Sequence, residues 1–381
     1  MNTALDIFAN KHSDYVMIST SATRIRSSLV LAAALLCCGP GSASAPEADD
    51  ATTELSATPP KLQVYIANLN NSFHRELATA LEDLSAQCRL ELELTQGQGR
   101  HEDTAAFVAS LPNPPGPIIM IPTDEASSSQ AAHKSRQGHQ PLIFLATEPG
   151  ANALNIYGQA VYVGSENGQL GALQATALNR LWQTQPQVDL NSDGKLQLLL
   201  IKGNGAQPAA ARRVKAFKGL AKRLQLPLKI VAEKEGMWQE DVAYAITKEQ
   251  LSSGVQFEAV VCSSDKMALG ALKALREAGF NLPSAAPDSK AGQSIPILSI
   301  DGIPQAVAEL KQGGLYSTVY QDAPAMARAA LQFALPELSC LQASRPKMTH
   351  QEHLYISAQV LLQGGETAPD LLEQTEALKV L

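Results

Sequence analysis

From Lys61 onward the chain alternates between short apolar runs and longer amphipathic stretches, and no other feature constrains its fold as tightly. The runs KLQVYIAN (61–68), LELELTQ (90–96), PIIMIP (117–122), LIFLAT (142–147), LQLLLIKG (196–203), LKIVAE (228–233), FEAVVCS (257–263), IPILSIDG (295–302) and STVYQD (317–322), with a short YVG at 162–164, read as strands. Between them, apolar residues recur at helical spacing in 73–88, 101–111, 128–137, 170–183, 208–225, 240–253, 265–279 and 305–313, and 325–338 reads as the final helix. Strands of apolar character, separated by amphipathic helices, mean βαβ units and parallel sheets covered on both sides. The strands are too many for one sheet of usual width. The pattern therefore predicts an α/β chain of two doubly wound parallel-sheet lobes, and no internal sequence repeat is evident.

The first 45 residues do not follow this alternation. Arg24 and Arg26 precede the apolar run LVLAAALLCC (29–38), and the small-residue stretch GPGSASA ends in an A-x-A-like site at Ala43 and Ala45. This is the layout of a secretory signal peptide, with Met17 as an alternative start. A lipoprotein anchor through Cys37 or Cys38 is disfavoured by the bulky residue before each. Residues 46–60, polar, acidic and ending in Pro-Pro, read as a flexible leader. Beyond the peptide only Cys88, Cys262 and Cys340 remain, which permits one disulfide but no disulfide framework. Loss of residues 1–45 removes three of 30 basic and two of 37 acidic residues, taking the net charge from −7 to −8. An acidic exported chain is poorly suited to nucleic acid, whose binding rests on neutralising phosphate.

The stretch DLNSDGKLQ (189–197) has the first nine positions of an EF-hand calcium loop: oxygen-bearing side chains at Asp189, Asn191, Asp193 and Gln197, and a turn glycine at Gly194. The twelfth position, which should carry a bidentate Glu, is Leu200 inside a strand. Either the match is an Asp/Asn/Gly turn that needs no metal, or the last carboxylate comes from elsewhere in the chain.

In open α/β sheets ligands bind at the carboxyl ends of strands. The polar residues there (68–73, 122–125, 207–213, 263–265, Asp301, Gln321 and Asp322) come from both halves of the chain, which points to a cleft between lobes.

In combination, DLNSDGKLQLLLIKG, GMW (236–238), FEAVVCSSDKMALGALKAL (257–275) and SIDGIPQAVAELKQGGL (299–315) resemble the periplasmic galactose/glucose-binding protein family from about Lys61 to Gln359. The resemblance implies a type I periplasmic binding fold with a three-strand hinge, lobes of 60–147 plus 322–352 and 148–321 plus 353–381, and partnership with an ABC sugar importer and a chemoreceptor. It also implies a structural calcium ion held by Asp189, Asn191, Asp193, the Lys195 carbonyl, Gln197 and, from a distant strand, Glu258. For the sugar it implies two sandwiching aromatics, Phe73 and Trp238, with Arg213 and Asp301 as polar ligands. Asn71, Gln207, Ser264 and Gln321 stand at further ligand positions with altered side chains, and Pro122 and Ala209 stand where the family has hydrogen-bonding residues. A monomeric solute-binding protein for a monosaccharide-like ligand is the expectation. The competing one is a sensory or interaction protein with a re-purposed cleft.

No enzyme is expected, because no nucleophile, base and acid fall into a set. KGNGAQP (202–208) lacks the third Gly and the Lys-Ser/Thr of phosphate loops, so Gly203 and Gly205 read as turn formers. His350 and His353 do not have zinc-helix spacing and read as surface residues, Cys262 reads as core, and the basic face of KAFKGLAKRLQ reads as solvated.

Overall fold

In the computed structural model, which describes residues 61–205, 207–281, 294–341 and 353–379, every strand lies in one of two six-stranded sheets. The signal-peptide, leader and His350 readings fall outside the described residues. The first lobe starts with β1 (Lys61–Ile66), α1 (Ser72–Gln87), β2 (Glu91–Gln96), α2 (His101–Ser110), β3 (Ile118–Met120), α3 (Glu125–Gly138), β4 (Leu142–Leu145), α4 (Ala151–Ile156) and β5 (Ala160–Gly164). The second lobe runs through α5 (Asn167–Thr184), β6 (Leu196–Lys202), α6 (Pro208–Arg223), β7 (Leu228–Glu235), α7 (Glu240–Ser252), β8 (Ala259–Cys262), α8 (Asp265–Glu277), β9 (Ile297–Asp301), α9 (Pro304–Gln312) and β10 (Ser317–Tyr320). The chain then returns to the first lobe for α10 (Ala323–Ala334) and β11 (His353–Tyr355), and ends in the second with β12 (Gln359–Leu362) and α11 (Pro369–Lys379).

The two sheets share one strand order, β2-β1-β3-β4-β5-β11 and β7-β6-β8-β9-β10-β12. The duplication invisible in the sequence is therefore present in the fold. Pairing is parallel throughout except for β12, which runs antiparallel to β10 at the edge. The sequence LQLLLIK of β6 shows why these strands are apolar along their length. Leu196, Leu198 and Leu200 pack with α5, α6 and α11 on one face, while Leu199 and Ile201 pack with α7, α8 and α9 on the other. Side chains alternate between faces, so a sheet covered on both sides needs apolar residues at every position.

Three features depart from the sequence reading. The first crossover follows β5, near Ser165, and not 147/148, because β5 pairs with β4 in the first sheet. The stretch HLYISAQV (353–360), which falls wholly in the second lobe under the expected boundary at 352/353, splits: β11 pairs with β5, β12 pairs with β10, and residues 356–358 form the third crossover. His353 is consequently a half-buried hinge residue rather than a surface one, stacked on Tyr355 and edge-on to Tyr162. The helix at 325–338 is not the last, since α11 follows it and packs against α5.

The one permitted disulfide is formed. Cys88, at the C-cap of α1, is bonded to Cys340 in the 3₁₀ turn Ser339–Leu341, with Cα atoms 5.7 Å apart and 252 residues between them in sequence. It ties the chain that re-enters the first lobe to that lobe's first helix, and Cys262 stays reduced and buried. A bridge closing so long a loop restricts the unfolded chain strongly. A Cys88→Ser/Cys340→Ser variant should lose about 2–5 kcal/mol of unfolding free energy, measured by urea denaturation, with little change in the native circular dichroism spectrum.

Candidate functional site

A strand order of this kind has a switch point beside the first strand of each half, where successive crossovers leave to opposite faces and open a crevice. In the first sheet it lies between β1 and β3, and in the second between β6 and β8. The residues singled out from sequence follow those strands. Asn71 and Phe73 follow β1 and Pro122 follows β3; Gln207, Ala209 and Arg213 follow β6 and Ser264 follows β8. Lys266 Nζ donates to the Asn70 carbonyl at 2.7 Å, which sets the Asn71 corner of one lobe opposite the Ser264 corner of the other.

Arg213 is the centre of the second-lobe cluster. Its side chain is 11% exposed; Nε donates to Asn167 Oδ1 at 3.0 Å and Nη1 to the Ser263 carbonyl at 2.7 Å, with Asp301 Oδ1 3.8 Å away. The guanidinium lies over the Trp238 ring, 5.5 Å from its centroid. Trp238 Nε1 donates to Gln207 Oε1 at 2.6 Å, and Gln321 Nε2 donates to Asp301 Oδ1 at 2.8 Å. Five of the expected residues (Gln207, Arg213, Trp238, Asp301 and Gln321) are thus joined in one network, and Ser264 caps α8 at its edge by accepting from Met267 N.

The backbone is bent to make this arrangement. Met237 and Trp238 have φ of 53° and 61°, and Asp301 has φ of 128°, all in the region that disfavours side chains. Strained residues of this kind persist where surrounding bonds over-determine them, as they do at binding sites. Gly203, read from sequence as a turn former, has a different task. A Cβ there would overlap the benzo ring of Trp238, so the indole is seated on bare backbone.

Other expected residues are spent locally. Asn71 Oδ1 caps α1 by accepting from Phe73 N at 2.9 Å and His74 N at 3.2 Å. Phe73 packs into the first lobe's core at 7% exposure, and among the described residues no ring contact joins it to Trp238. Pro122 is buried and Ala209 half-buried, and neither side chain has a polar atom to offer. Sequence reasoning missed Asn167 and the role of Asp265. Asp265 is a strut: its carboxylate takes bonds from Ser299, from Thr318 at 2.6 Å and from Ile303 N at 2.8 Å, tying the start of α8 to β9, β10 and the turn after β9. Nothing local marks Asn167, which lies 46 residues from Arg213.

At the opposite ends of β6 and β8, Glu258 lies against the 189–197 loop. It is 3% exposed, and accepts from Leu190 N at 2.8 Å, Asn191 N at 3.2 Å and Gln197 N at 3.0 Å. Within the loop, Asp189 accepts from Asp193 N and Gly194 N, Asn191 from Asp193 N, and Asp193 from Lys195 N and Gln197 Nε2. Gln197 Oε1 is buried with no partner. Among the described residues no three His, Cys, Asp or Glu side chains are placed to hold a metal by themselves. A cation here would have to draw on the amide and carbonyl oxygens as well, and Gln197 Oε1 fits that requirement.

The profile of the periplasmic binding protein domain family matches residues 64–339. The chain belongs to that family. It is 31% identical over 215 residues to the D-galactose/methyl-galactoside binding periplasmic protein of Haemophilus influenzae, a region covering 55% of this chain and 60% of that one, so the match spans under two thirds of the relative. In fold it is similar to an ABC transporter solute binding protein from Bacillus halodurans solved with myo-inositol (TM-score 0.63, 22% identity, 84% of this chain and 97% of that one). It is also similar to one from Actinobacillus succinogenes solved with D-allose (TM-score 0.63, 21% identity, 84% and 99%). These relatives are described as binding proteins. Two parallel-sheet lobes and a hinge of three crossovers are this chain's periplasmic-binding architecture.

Burial dominates the electrostatics of this cleft. Desolvation pushes the Asp301 carboxyl up to about 7 against the attraction of Arg213, and lifts Asp265 well above the ordinary carboxylate range. Between pH 4 and 7 the folded chain therefore keeps an Asp301 proton that the unfolded chain has lost, so this group's contribution to stability falls as pH rises. Buried His74, lowered to about 4, acts in the opposite sense. Comparison with Asp301→Asn separates them: from pH 4.5 to 7.5 the native chain should lose stability relative to the variant in urea unfolding, and parallel pH profiles would contradict this.

Proposed function

We propose that the protein is an exported, periplasmic solute-binding component that closes its two lobes on a monosaccharide-like or cyclic polyol ligand and presents the closed form to an ABC importer, a chemoreceptor or both. The observation that carries this reading is the Arg213 network. A buried guanidinium, an indole face, a carboxyl and two amides meet at one switch point, opposite the Asn71 corner of the other lobe. Flat apolar surface beside planar polar groups suits the C–H face and paired hydroxyls of a sugar ring. Pro122 and Ala209 offer no hydrogen bond, which favours a ligand with fewer hydroxyls toward those two positions, or with hydroxyls differently placed. Each hydroxyl left unpaired costs about 1–3 kcal/mol.

Thermal unfolding against D-galactose, D-glucose, D-allose, D-ribose, xylitol and myo-inositol tests the reading. A true ligand at 100 times its dissociation constant adds about 2.7 kcal/mol, and the rise should vanish in Arg213→Gln. No shift with any of them, or with deoxysugars, would overturn it.

We also propose that the 189–197 loop and Glu258 hold a structural calcium ion. Asp189, Asn191, Asp193, Gln197 and Glu258 side chains and the Lys195 carbonyl give the hard oxygens such a cation requires. Each carboxylate that accepts backbone N–H bonds retains lone pairs for it. When bound, the ion would add positive charge that neutralises the loop and clamps it to the strand carrying Glu258. Calcium should raise the melting temperature of chelator-treated protein, and Glu258→Ala should abolish that rise as well as lowering the baseline, since it strands three backbone N–H groups. An equal calcium response in both proteins would dismiss the site.

A further inference from the structure

Among the described residues, two polar contacts besides the three crossovers join the lobes, and each draws on different elements. Glu148, in the loop between β4 and α4, pairs with Arg212 of α6. Lys266, the second residue of α8, donates to the Asn70 carbonyl in the loop between β1 and α1. Both sit beside ligand-site residues. Arg212 precedes Arg213, Lys266 follows Ser264 by two positions, and Asn70 precedes Asn71.

The burial of these groups shows what the contacts depend on. The Glu148 side chain is 18% exposed although it lies in a surface loop, whereas Arg212 is 48% exposed. The shielded carboxylate is set directly against the Arg212 guanidinium. Each pair spans the two lobes, so a separation that moves α8 from the β1–α1 loop would part Lys266 from Asn70, and one that moves α6 from the β4–α4 loop would part Arg212 from Glu148. Neither contact is expected of the sugar site as such, for none of the four groups belongs to the Arg213 network.

We infer that Glu148, Arg212 and Lys266 are positioning residues that bias the lobes toward closure and hold the two cleft walls at ligand distance. The inference rests on the reading of the cleft as a ligand site. Observed affinity scales with the population of the competent conformation, so a latch raises affinity for any ligand without touching it. Exposed pairs are individually weak, so the effect per contact is about two- to fivefold.

Small-angle scattering of the ligand-free, disulfide-intact mature chain reads closure directly. Glu148→Arg and Arg212→Glu should each enlarge the radius of gyration, and the Glu148→Arg/Arg212→Glu exchange should restore it. Lys266→Met should enlarge it independently. With D-galactose as probe, each single change should speed dissociation about two- to fivefold, the exchange should reverse the effect, and 1 M salt should shift the native protein toward the single variants. Single variants that scatter like the native chain, or an exchange that behaves like the singles, would overturn the latch. If no variant, nor the native chain, binds galactose, the sugar reading suffers while the scattering still decides the latch.

Discussion

Strands buried on both faces can carry a polar side chain only where a buried partner meets it, as Asp265 meets Ser299 and Thr318, and the rest of this molecule follows from that. In β6 the cores on the two faces claim Leu196 and Leu198 to Ile201, while buried Gln197, near the amino end, turns its amide to the 189–197 loop, leaving chemistry to the two ends. The carboxyl end feeds Gly203, Gln207 and Arg213 into the cleft, and the amino end emerges from the 189–197 loop. The strand β8 repeats the division, with Glu258 just before its start and Ser263 and Ser264 just after its end. One pair of parallel strands therefore serves two polar sites that never share a residue.

The cleft itself is expensive to maintain without a ligand. Taking the Arg213 and Asp301 side chains out of water weakens both charges, and their 3.8 Å separation is too long for a strong hydrogen-bonded pair. Asn167, the Ser263 carbonyl and Gln321 supply the bonds that keep them folded inward. The positive φ angles at Met237, Trp238 and Asp301 belong to the same arrangement. On the proposed reading, stability is given up at the place where these groups would turn to a guest.

Much of this was legible from the chain. Strand and helix identities follow from apolar periodicity because the local pattern is a direct consequence of two-sided burial. Asp301 and Gln321 could be nominated because they end strands, Arg213 because it lies in the polar stretch after β6, and Trp238 only through the family resemblance. What escaped is long-range. The split of HLYISAQV between two sheets depends on partners almost 200 residues upstream for β11 and some 40 for β12, and no local signal divides it. The Cys88–Cys340 bridge was one permitted pairing among three, and only the return of α10 to α1 brings those thiols together. Gly203 read as a turn residue because its real constraint, the Trp238 ring, comes from a loop 35 positions away. Phe73 shows the converse: its place at the start of α1 was right, while its ring is committed to the core.

The two sites also differ in how much change they tolerate. In the loop, backbone N–H groups of Leu190, Asn191 and Gln197 all converge on one buried carboxylate, so replacing Glu258 leaves three donors unpaired whatever else binds there. In the cleft, Pro122 and Ala209 satisfy themselves and demand nothing of a partner. A guest presenting a hydroxyl to each would forfeit about 2–6 kcal/mol, or roughly two to four decades of affinity, whereas one presenting C–H groups there would forfeit nothing. If the proposed cleft takes a ligand there, selectivity at those positions would be exerted by the cost imposed on the wrong ligand, and a cleft can be re-specified this way without disturbing the strands that carry it.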